Sequence, residues 1–122
     1  MIADLPGADL AGADLGGASI GVNIKNQGMG QMRTDLTGAN LSGVNLEGAD
    51  LNRTLLAFAN LRGSNLRGAN LFRAKLAGAD LTGADVSGAD FTEADLSGVN
   101  LQGARGLAQA RGLERAEGAS QR

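Results

Sequence analysis

The chain of 122 residues lacks cysteine, histidine, tryptophan and tyrosine altogether. Without cysteine there is no disulfide framework and no thiolate metal site, and without histidine the nitrogen ligands that zinc favours are missing too. Nucleophilic catalysis requires a base beside the nucleophile, and the serines at positions 42, 87 and 97 have no such base nearby. We therefore expect no enzyme activity, no metal site and no cofactor.

Long apolar runs and a strong charge of either sign are also missing. Eleven basic against thirteen acidic side chains leave a formal charge of −2, which is too small to indicate nucleic acid or an anionic membrane as a partner. No uncharged apolar run approaches the roughly 20 residues that a membrane span needs, and Met1–Leu5 does not resemble a secretory signal. We expect one soluble, cytoplasmic domain.

Proline occurs once, whereas glycine occurs twenty times. Such a composition is common in disordered chains, but here an apolar residue recurs at every fifth position from Leu36 to Leu101. Twelve of these fourteen residues are leucine, and the other two are Val86 and Phe91. A small or β-branched residue stands two positions earlier, usually with Asp or Asn between. An internal repeat of this regularity decides the fold.

A period of five fits neither an α-helix, with about 3.6 residues per turn, nor a flat strand, with a period of about 2. It fits a coil that turns a corner after each unit. Four units then make one square turn, and residues twenty apart stack at the strand spacing of roughly 4.8 Å. The small residue and the leucine would point inward, and the glycine would lie at the corner, where the backbone needs unusual freedom.

The units in residues 3–20 and 34–103 resemble those of the pentapeptide-repeat family, whose consensus is Ala-(Asp/Asn)-Leu-X-X; Thr34–Gly38 and Ala39–Gly43 illustrate the match. This resemblance implies an all-β fold, the right-handed quadrilateral β-helix. It also implies that the leucine and alanine point inward and the other three positions outward.

The pattern divides the chain into four segments. Residues 1–24 hold a first coil in a different phase, and residues 25–33 form a loop or irregular insertion. Residues 34–103 form the main β-helix, and residues 104–122 form a C-terminal cap or tail.

At Lys25–Arg33 the repeat slips, because Val22–Ile24 looks like one further unit that arrives a residue early. Two interpretations stay open. The segment protrudes as a loop, as segments do in some family members that act on DNA topoisomerases, or it packs on the rod as a distorted coil filled by Met29 and Met32.

In the last segment Ala104–Leu107 recurs as Ala110–Leu113. Because a solenoid end leaves an open apolar face, we expect a short helix that places Leu107 and Leu113 against the last coil as a cap. The alternative, implied by some family members, is a dimer interface in this segment, which would make the protein a homodimer. The N-terminal end shows no cap, so we expect a partner, a second copy or a further domain there.

The outward Asp and Asn residues fall into four columns when the chain stacks at twenty residues. No column places Asp directly on Asp; the columns are Asn40–Asn60–Asp80–Asn100, Asn45–Asn65–Asp85, Asp50–Asn70–Asp90 and Asp35–Leu55–Lys75–Asp95. The spacing avoids like-charge repulsion, and it argues against a calcium or magnesium site, in which carboxylates would cluster.

Charge is banded along the rod. Residues 51–79 contain basic but no acidic side chains, and residues 80–95 contain the reverse. Three apolar residues of the basic band also occupy outward positions, and arginine beside aromatic residues is typical of interface hot spots. We therefore predict a partner-binding surface along the edge between two faces, formed by Arg53, Leu55, Phe58, Phe72, Arg73 and Lys75. The alternative is that the phenylalanines shield a corner and the arginines are ordinary solvated charges.

These features favour a non-catalytic scaffold or protein–protein interaction module, as a subunit of a larger assembly, with a protein as its partner. The resemblance permits a second function, a DNA-mimicking regulator of DNA gyrase or another topoisomerase. Mimicry requires a long acidic rod, whereas this rod is short and basic in its middle. Direct nucleic-acid binding comes third, because five cations spread around a rod make a weak site.

Overall fold

A computed structural model of the protein describes residues 5–21 and 33–113. These residues wind into five stacked coils, residues 5–21, 34–53, 54–73, 74–93 and 94–113, which we number 1 to 5. Parallel bridges join equivalent residues of successive coils. Every strand is a single bridged residue, and the one helix among the described residues is the 3-10 helix Leu107–Gln109. The predicted right-handed quadrilateral β-helix is confirmed.

Each coil has four faces, which we number in chain order. In coils 2 to 5 the central inward residues of face 1 are Leu36, Leu56, Leu76 and Leu96, and those of face 2 are Leu41, Leu61, Leu81 and Leu101. Face 3 contributes Leu46, Leu66 and Val86, and face 4 contributes Leu51, Leu71 and Phe91. None of these residues is more than 7% exposed, so they form one continuous apolar column through the rod.

The small residue of each unit lies beside the leucine in this core. Ala39, Ala59 and Ala79 on face 2 are at most 1% exposed, so the predicted inward pair is confirmed. Burying one leucine contributes roughly 1.5–3 kcal/mol relative to leaving it exposed. Because a solenoid coil contacts only its neighbours, this stabilisation is local to each level of the stack.

Backbone hydrogen bonds link each coil to both neighbours. The N–H of Leu41 donates to the carbonyl of Asn60 in the next coil (2.7 Å), and the N–H of Asn40 donates to the carbonyl of Ala8 in the previous one (2.7 Å). The same alternation recurs on the other faces. In a coil inside the stack, the backbone N–H and carbonyl groups of the strand residues therefore form hydrogen bonds with the coils on both sides.

The corners explain why each unit also has Asp or Asn before the leucine and glycine after it. At the first corner of coil 2, the N–H of Ala39 donates to the carbonyl of Leu36 (3.0 Å) and closes a β-turn. A second bond runs from the N–H of Thr37 to the Asp35 carboxylate (3.0 Å). The third turn residue, Gly38, has a φ of 69°, a conformation that glycine adopts without strain. Asp or Asn thus accepts a hydrogen bond from a turn N–H, and glycine adopts the positive φ that the turn requires.

Coil 1 joins the stack with a longer offset than the others. Asp9 bridges Asn40, whereas Asn40 bridges Asn60, so the offset is 31 residues at the first interface and 20 at the next. The eleven additional residues lie between Gly21 and Arg33. The different phase of the first repeats therefore reflects an insertion in the sequence and does not interrupt the stack.

Two predictions for this region fall outside the described residues. They are the extra unit Val22–Ile24 and, apart from Arg33, the loop Lys25–Arg33 with Met29 and Met32. Whether that loop protrudes or packs on the rod stays a prediction.

Stacking continues beyond the end of the five-residue period. Arg105 bridges Asp85 at the usual offset, and Arg111 bridges Asp90 at an offset of 21. The 3-10 helix Leu107–Gln109 lies between these two bridges, so it takes up the additional residue. Residues that the sequence assigned to a cap or tail therefore still add two faces to the rod.

The predicted C-terminal helix is present as this single turn. Leu113 is 3% exposed and belongs to the core, and Leu107 is partly buried against it. Residues 114–122 lie outside the described residues, and the dimer interface in this segment stays a prediction.

Among the described residues, two buried hydroxyls have no hydrogen-bond partner, Thr54 Oγ1 and Ser64 Oγ. An unsatisfied buried polar group is destabilising, so we expect Thr54→Val and Ser64→Ala each to raise the free energy of unfolding by about 1 kcal/mol. Thr34 provides the control, because its hydroxyl donates to the carbonyl of Ile20 (2.6 Å) and Thr34→Val should be destabilising. Urea unfolding followed by circular dichroism measures all three. A loss of stability in Ser64→Ala would contradict the prediction.

Candidate partner-binding surface

Departures from the repeat are concentrated on one side of the rod. Within residues 34–103 the Asp or Asn position holds another residue only at Leu55 and Lys75. The third corner residue is other than glycine only at Arg53, Phe58, Arg73 and Glu93. All six positions lie on face 1 or at the corner before or after it. The other Asp/Asn and corner-glycine positions of residues 34–103 follow the repeat.

The four corner residues are in a strained backbone conformation. Arg53, Phe58, Arg73 and Glu93 have φ values between 58° and 60°, which for a residue with a β-carbon costs roughly 1–2 kcal/mol. Strain of this kind is often found at functional sites. Because glycine occupies the other corners of the block, the chain tolerates this strain only along face 1.

At Leu55 and Lys75 the corner keeps its backbone hydrogen bond but lacks the side-chain hydrogen bond that Asp or Asn accepts at other corners. Neither side chain has a hydrogen-bond acceptor, so the N–H groups of Ala57 and Ala77 lack the partner that Thr37 has in Asp35. A parallel bridge joins Leu55 in coil 3 to Lys75 in coil 4. Leu55 is half-buried and Lys75 is exposed. Face 1 thus presents an apolar group and a cation in place of two corner acceptors.

Phe72 lies between two arginines at the corner that precedes face 1. The guanidinium carbons of Arg53 and Arg73 are 5.3 and 5.2 Å from the ring centroid, within the range of cation–π attraction, worth about 0.5–1 kcal/mol for an exposed pair. A hydrogen bond from Arg53 Nη1 to Asn52 Oδ1 (3.0 Å) fixes the first guanidinium further. Phe72 is half-buried by this arrangement.

A third arginine extends along the same corner. Arg33 Nη2 donates to the carbonyl of Arg73, two coils away (3.4 Å). Partial burial, and then the positive charges of Arg53 and Arg73, lower the pKa of the Arg33 guanidinium from its ordinary value. The ion pair of Arg73 Nε with Glu93 Oε1 (2.9 Å) is the nearest compensation. We call Arg33, Arg53 and Arg73 the guanidinium cluster.

Phe58 lies at the opposite corner of face 1 and is 72% exposed. Its ring rests on the backbone of Gly78 in the next coil, because a β-carbon built on Gly78 would lie 2.5 Å from Phe58 Cε1. An exposed phenylalanine in strained backbone buries little apolar area in the rod itself. Its contribution to folding is therefore small.

The structure brings together most of the residues predicted for the surface. Arg53, Phe72 and Arg73 are in contact, Leu55 and Lys75 adjoin on face 1, and Phe58 stands at the far corner. We call these six residues the face-1 patch. Arg33 and Glu93 were not predicted for this surface, although positions 33, 53, 73 and 93 are spaced by twenty residues and therefore stack at one corner.

The other arginines of the basic band are paired within the rod. Arg62 Nη1 lies 3.1 Å from Asp80 Oδ2, and Arg67 Nη1 lies 3.3 Å from Asp85 Oδ2. Both pairs join coil 3 to coil 4, so the basic and acidic bands neutralise each other on faces 2 and 3. Among the described residues, Arg33 and Arg53 have no carboxylate within ion-pair distance.

Hydrogen bonds at the corners lower the pKa of several carboxylates. For Asp85 the bonds from the Ser87 hydroxyl and N–H are the main cause of the lowered pKa. For Asp80 burial acts in the opposite direction, but bonds from Thr82 and Arg62 outweigh it and the pKa is lowered as well. These carboxylates are therefore charged in the folded rod at a pH where the unfolded chain already binds protons.

Stability should consequently be lost in acid. A carboxyl group whose pKa is lowered by folding stabilises the fold above its unfolded pKa of about 3.9, and this contribution disappears as the pH falls through the folded value. We expect an unfolding midpoint in urea that is constant from about pH 5 to 7, since the chain has no histidine, and that falls below about pH 4. Ser87→Ala removes a bond that lowers the Asp85 pKa and should weaken this fall. A midpoint that rises in acid would contradict the prediction.

The described residues contain no group of three or more His, Cys, Asp or Glu side chains that could hold a metal ion. Within the same residues no helix is long and apolar enough to cross a membrane.

The bridges reproduce the predicted columns, and none of them joins two aspartates.

Comparison with known proteins identifies the repeat. The family model for pentapeptide repeats matches residues 34–71 and 69–105, with eight copies. No curated protein matches the chain at a significant level.

The chain is similar to several proteins of solved structure. HetL, a pentapeptide repeat protein involved in heterocyst differentiation regulation in the cyanobacterium Nostoc sp. strain PCC 7120, is 34% identical over 88% of this chain, with a TM-score of 0.63. The chain spans 50% of the length of HetL. A pentapeptide repeat protein of the Arabidopsis thaliana thylakoid lumen is 28% identical over 82% of this chain and 66% of its own, with a TM-score of 0.52. Rfr23 from the cyanobacterium Cyanothece 51142 is 31% identical over 87% of this chain and 88% of its own, with a TM-score of 0.40.

Proposed function

Because the chain belongs to the pentapeptide-repeat family, we propose that it is a non-catalytic interaction module that binds a protein partner through the face-1 patch. One observation carries the proposal. Every departure from the repeat at an Asp/Asn or corner-glycine position of residues 34–103 lies on face 1 or its two corners. A solenoid that only had to fold would gain stability from Asn and glycine at these positions, so a second requirement explains them.

The chemistry of the patch suits a protein partner. Tight interfaces combine exposed aromatic or aliphatic anchors with arginine. Here Leu55 lies on the face that follows the guanidinium cluster, and Phe58 lies at the next corner. Arg53 and Arg73 are already ordered on Phe72, so binding would cost less side-chain entropy than the ordering of free arginines. Involvement in regulation, as described for HetL, is compatible with a rod that acts through its surface.

The alternative, a DNA-mimicking regulator of gyrase, receives less support. Mimicry requires rows of unpaired negative charge, whereas Arg62 and Arg67 pair with Asp80 and Asp85. Asparagines separate the aspartates in the columns as well. The most distinctive surface of the rod is cationic and apolar.

The proposal is tested by restoring the repeat on face 1. In the double variant Leu55→Asn/Phe58→Gly we expect the native protein partner to be lost from affinity capture, quantified by mass spectrometry against the wild type. Because both changes introduce the residue that the corner favours, the free energy of unfolding should be unchanged or higher by about 1 kcal/mol. A loss of capture therefore could not be attributed to unfolding.

The matched control is Arg62→Ser/Arg67→Ser, which alters two exposed arginines on faces 2 and 3. It should retain the partner. If the face-1 double variant keeps every protein that the wild type captures, the proposal is wrong. If the control alone loses partners, the binding surface lies on faces 2 and 3. Capture of gyrase subunits that survives the face-1 changes would favour the DNA mimic.

A further inference from the structure

We infer that the guanidinium cluster is a subsite for side-chain carboxylates of the partner, so that the partner contributes an acidic segment with an apolar residue beside it. This inference rests on the proposed function and specifies the chemistry of what the face-1 patch binds. The acidic group would contact Arg33 and Arg53, and the apolar residue would reach Leu55 and Phe58.

Charge balance at the corner is the first argument. The guanidinium cluster lies along one corner of the rod. The Arg33 side chain donates to the Arg73 carbonyl, and the guanidiniums of Arg53 and Arg73 both lie over the Phe72 ring. Glu93 is the carboxylate paired with them in the described part of the chain. On faces 2 and 3, Arg62 and Arg67 each have a carboxylate of their own. Within the described residues, three guanidiniums therefore share one paired carboxylate at this corner.

Glu93 shows how the corner accommodates a carboxylate. It occupies the position of the cluster one coil further along, at a φ of 58°, and its Oε1 accepts from Arg73 Nε at 2.9 Å. Arg73 occupies the equivalent position one coil back, so Arg53 has no such carboxylate from the described part of the chain and a partner would supply one from outside the rod.

The cluster is also prepared for a planar anion. Phe72 holds the Arg53 and Arg73 guanidiniums on its ring. Among the described residues, the Arg53 guanidinium donates one hydrogen bond, from Nη1 to Asn52 Oδ1. Guanidinium donors match the two oxygens of a carboxylate. Repulsion within the cluster, which helps to lower the pKa of Arg33, would be relieved by the incoming charge.

A protein carboxylate fits better than a nucleic-acid phosphate. Nucleic-acid sites track a backbone with many cations, whereas Arg62 and Arg67 on the neighbouring faces of coil 3 are paired within the rod. The surface next to the cluster is apolar, with Leu55 half-buried and Phe58 72% exposed. An acidic peptide with one leucine or phenylalanine matches both halves.

The test is a titration of the full chain with a synthetic peptide, Glu-Glu-Leu-Glu-Glu with blocked termini, at low ionic strength. Resonances of the arginine Nε–H groups in two-dimensional NMR report each guanidinium separately. We expect the Arg33 and Arg53 signals to shift and those of Arg62 and Arg67 to stay. The same peptide with glutamine in place of glutamate should have no effect.

Variants then separate charge from geometry. Arg53→Gln should lower the affinity for the peptide by about tenfold, a factor that corresponds to about 1.4 kcal/mol. Arg53→Lys should recover only part of this loss, because a lysine ammonium cannot bind both carboxylate oxygens in a fork. Glu93→Gln, which frees Arg73 from its internal carboxylate, should strengthen binding. Arg62→Gln serves as the control and should leave the affinity unchanged.

Three results would overturn the inference: equal shifts at Arg62 and Arg67, an equal effect of the glutamine peptide, or weaker binding by Glu93→Gln. Inorganic phosphate that shifts the cluster at least as strongly as the peptide would also count against a carboxylate site. The proposed function fails separately. If Leu55→Asn/Phe58→Gly loses the native partner while the acidic peptide leaves the cluster unshifted, the binding surface stands and its carboxylate specificity is wrong.

Discussion

Leu66→Asp is expected to abolish folding. Leu66 is the central residue of face 3 in coil 3, is 0% exposed, and lies between Leu46 in the coil before and Val86 in the coil after. A carboxylate at this site would have no partner, and burying an unpaired charge costs more than a domain of this size can offset, given typical stabilities of about 5–15 kcal/mol.

The geometry of the rod makes the effect global. Each coil is held by the coils above and below it, so losing coil 3 leaves two coils on either side, too few to form a core. Even the milder Leu66→Ala should lower the free energy of unfolding by about 2–5 kcal/mol, since the stack cannot collapse around the cavity without breaking its backbone bonds.

Circular dichroism and urea unfolding measure both substitutions. The control is Gln102→Asp, which adds the same carboxylate at an exposed position and should change stability by less than about 0.5 kcal/mol. A folded Leu66→Asp protein with a wild-type midpoint would show that residue 66 does not point into the core.

Gly112→Ala is expected to detach the end of the rod. Gly112 stands above Phe91, where the leucine of the next coil would otherwise lie, and its φ is 82°. A β-carbon there would be 2.6 Å from both the Phe91 carbonyl carbon and the Thr92 nitrogen. These are backbone atoms inside the stack, which cannot move away as a flexible side chain would.

The comparison with Gly83→Ala isolates that clash. Gly83 has a φ of 70° but no atom within 4 Å of its β-carbon position, so it should lose only the roughly 1–2 kcal/mol of backbone strain. Gly112→Ala adds steric overlap, for a total of roughly 2–4 kcal/mol.

Amide hydrogen exchange locates the damage of Gly112→Ala. Protection should be lost at the N–H of Phe91, which donates to the Arg111 carbonyl (2.8 Å), while the N–H of Leu66 stays protected. Equal stabilities of the two alanine variants would contradict the predicted packing of Gly112 on Phe91.

The surface was predictable in part. Arg53, Phe72 and Arg73 could be placed near one edge from the period alone, because residues twenty apart stack. Their contact could not, since it depends on side-chain rotamers that bring two guanidiniums onto one ring. Arg33 was assigned to the loop before the main repeat, and the sequence does not reveal that its side chain extends over two coils to the Arg73 carbonyl.

The repeat makes the fold predictable from the sequence. A period of five with an inward leucine and small residue admits one way to bury the leucines, so the square β-helix, its core and its columns follow from the pattern. Features that depend on contacts between units that differ are visible only in the folded rod. They are the 31-residue register of coil 1, the continued stacking of Arg105 and Arg111, and the pairing of the two charge bands. Local propensity acts within one unit and is visible in the sequence. Pairing across coils depends on side-chain reach and on insertions, and these take effect only once the coils are stacked.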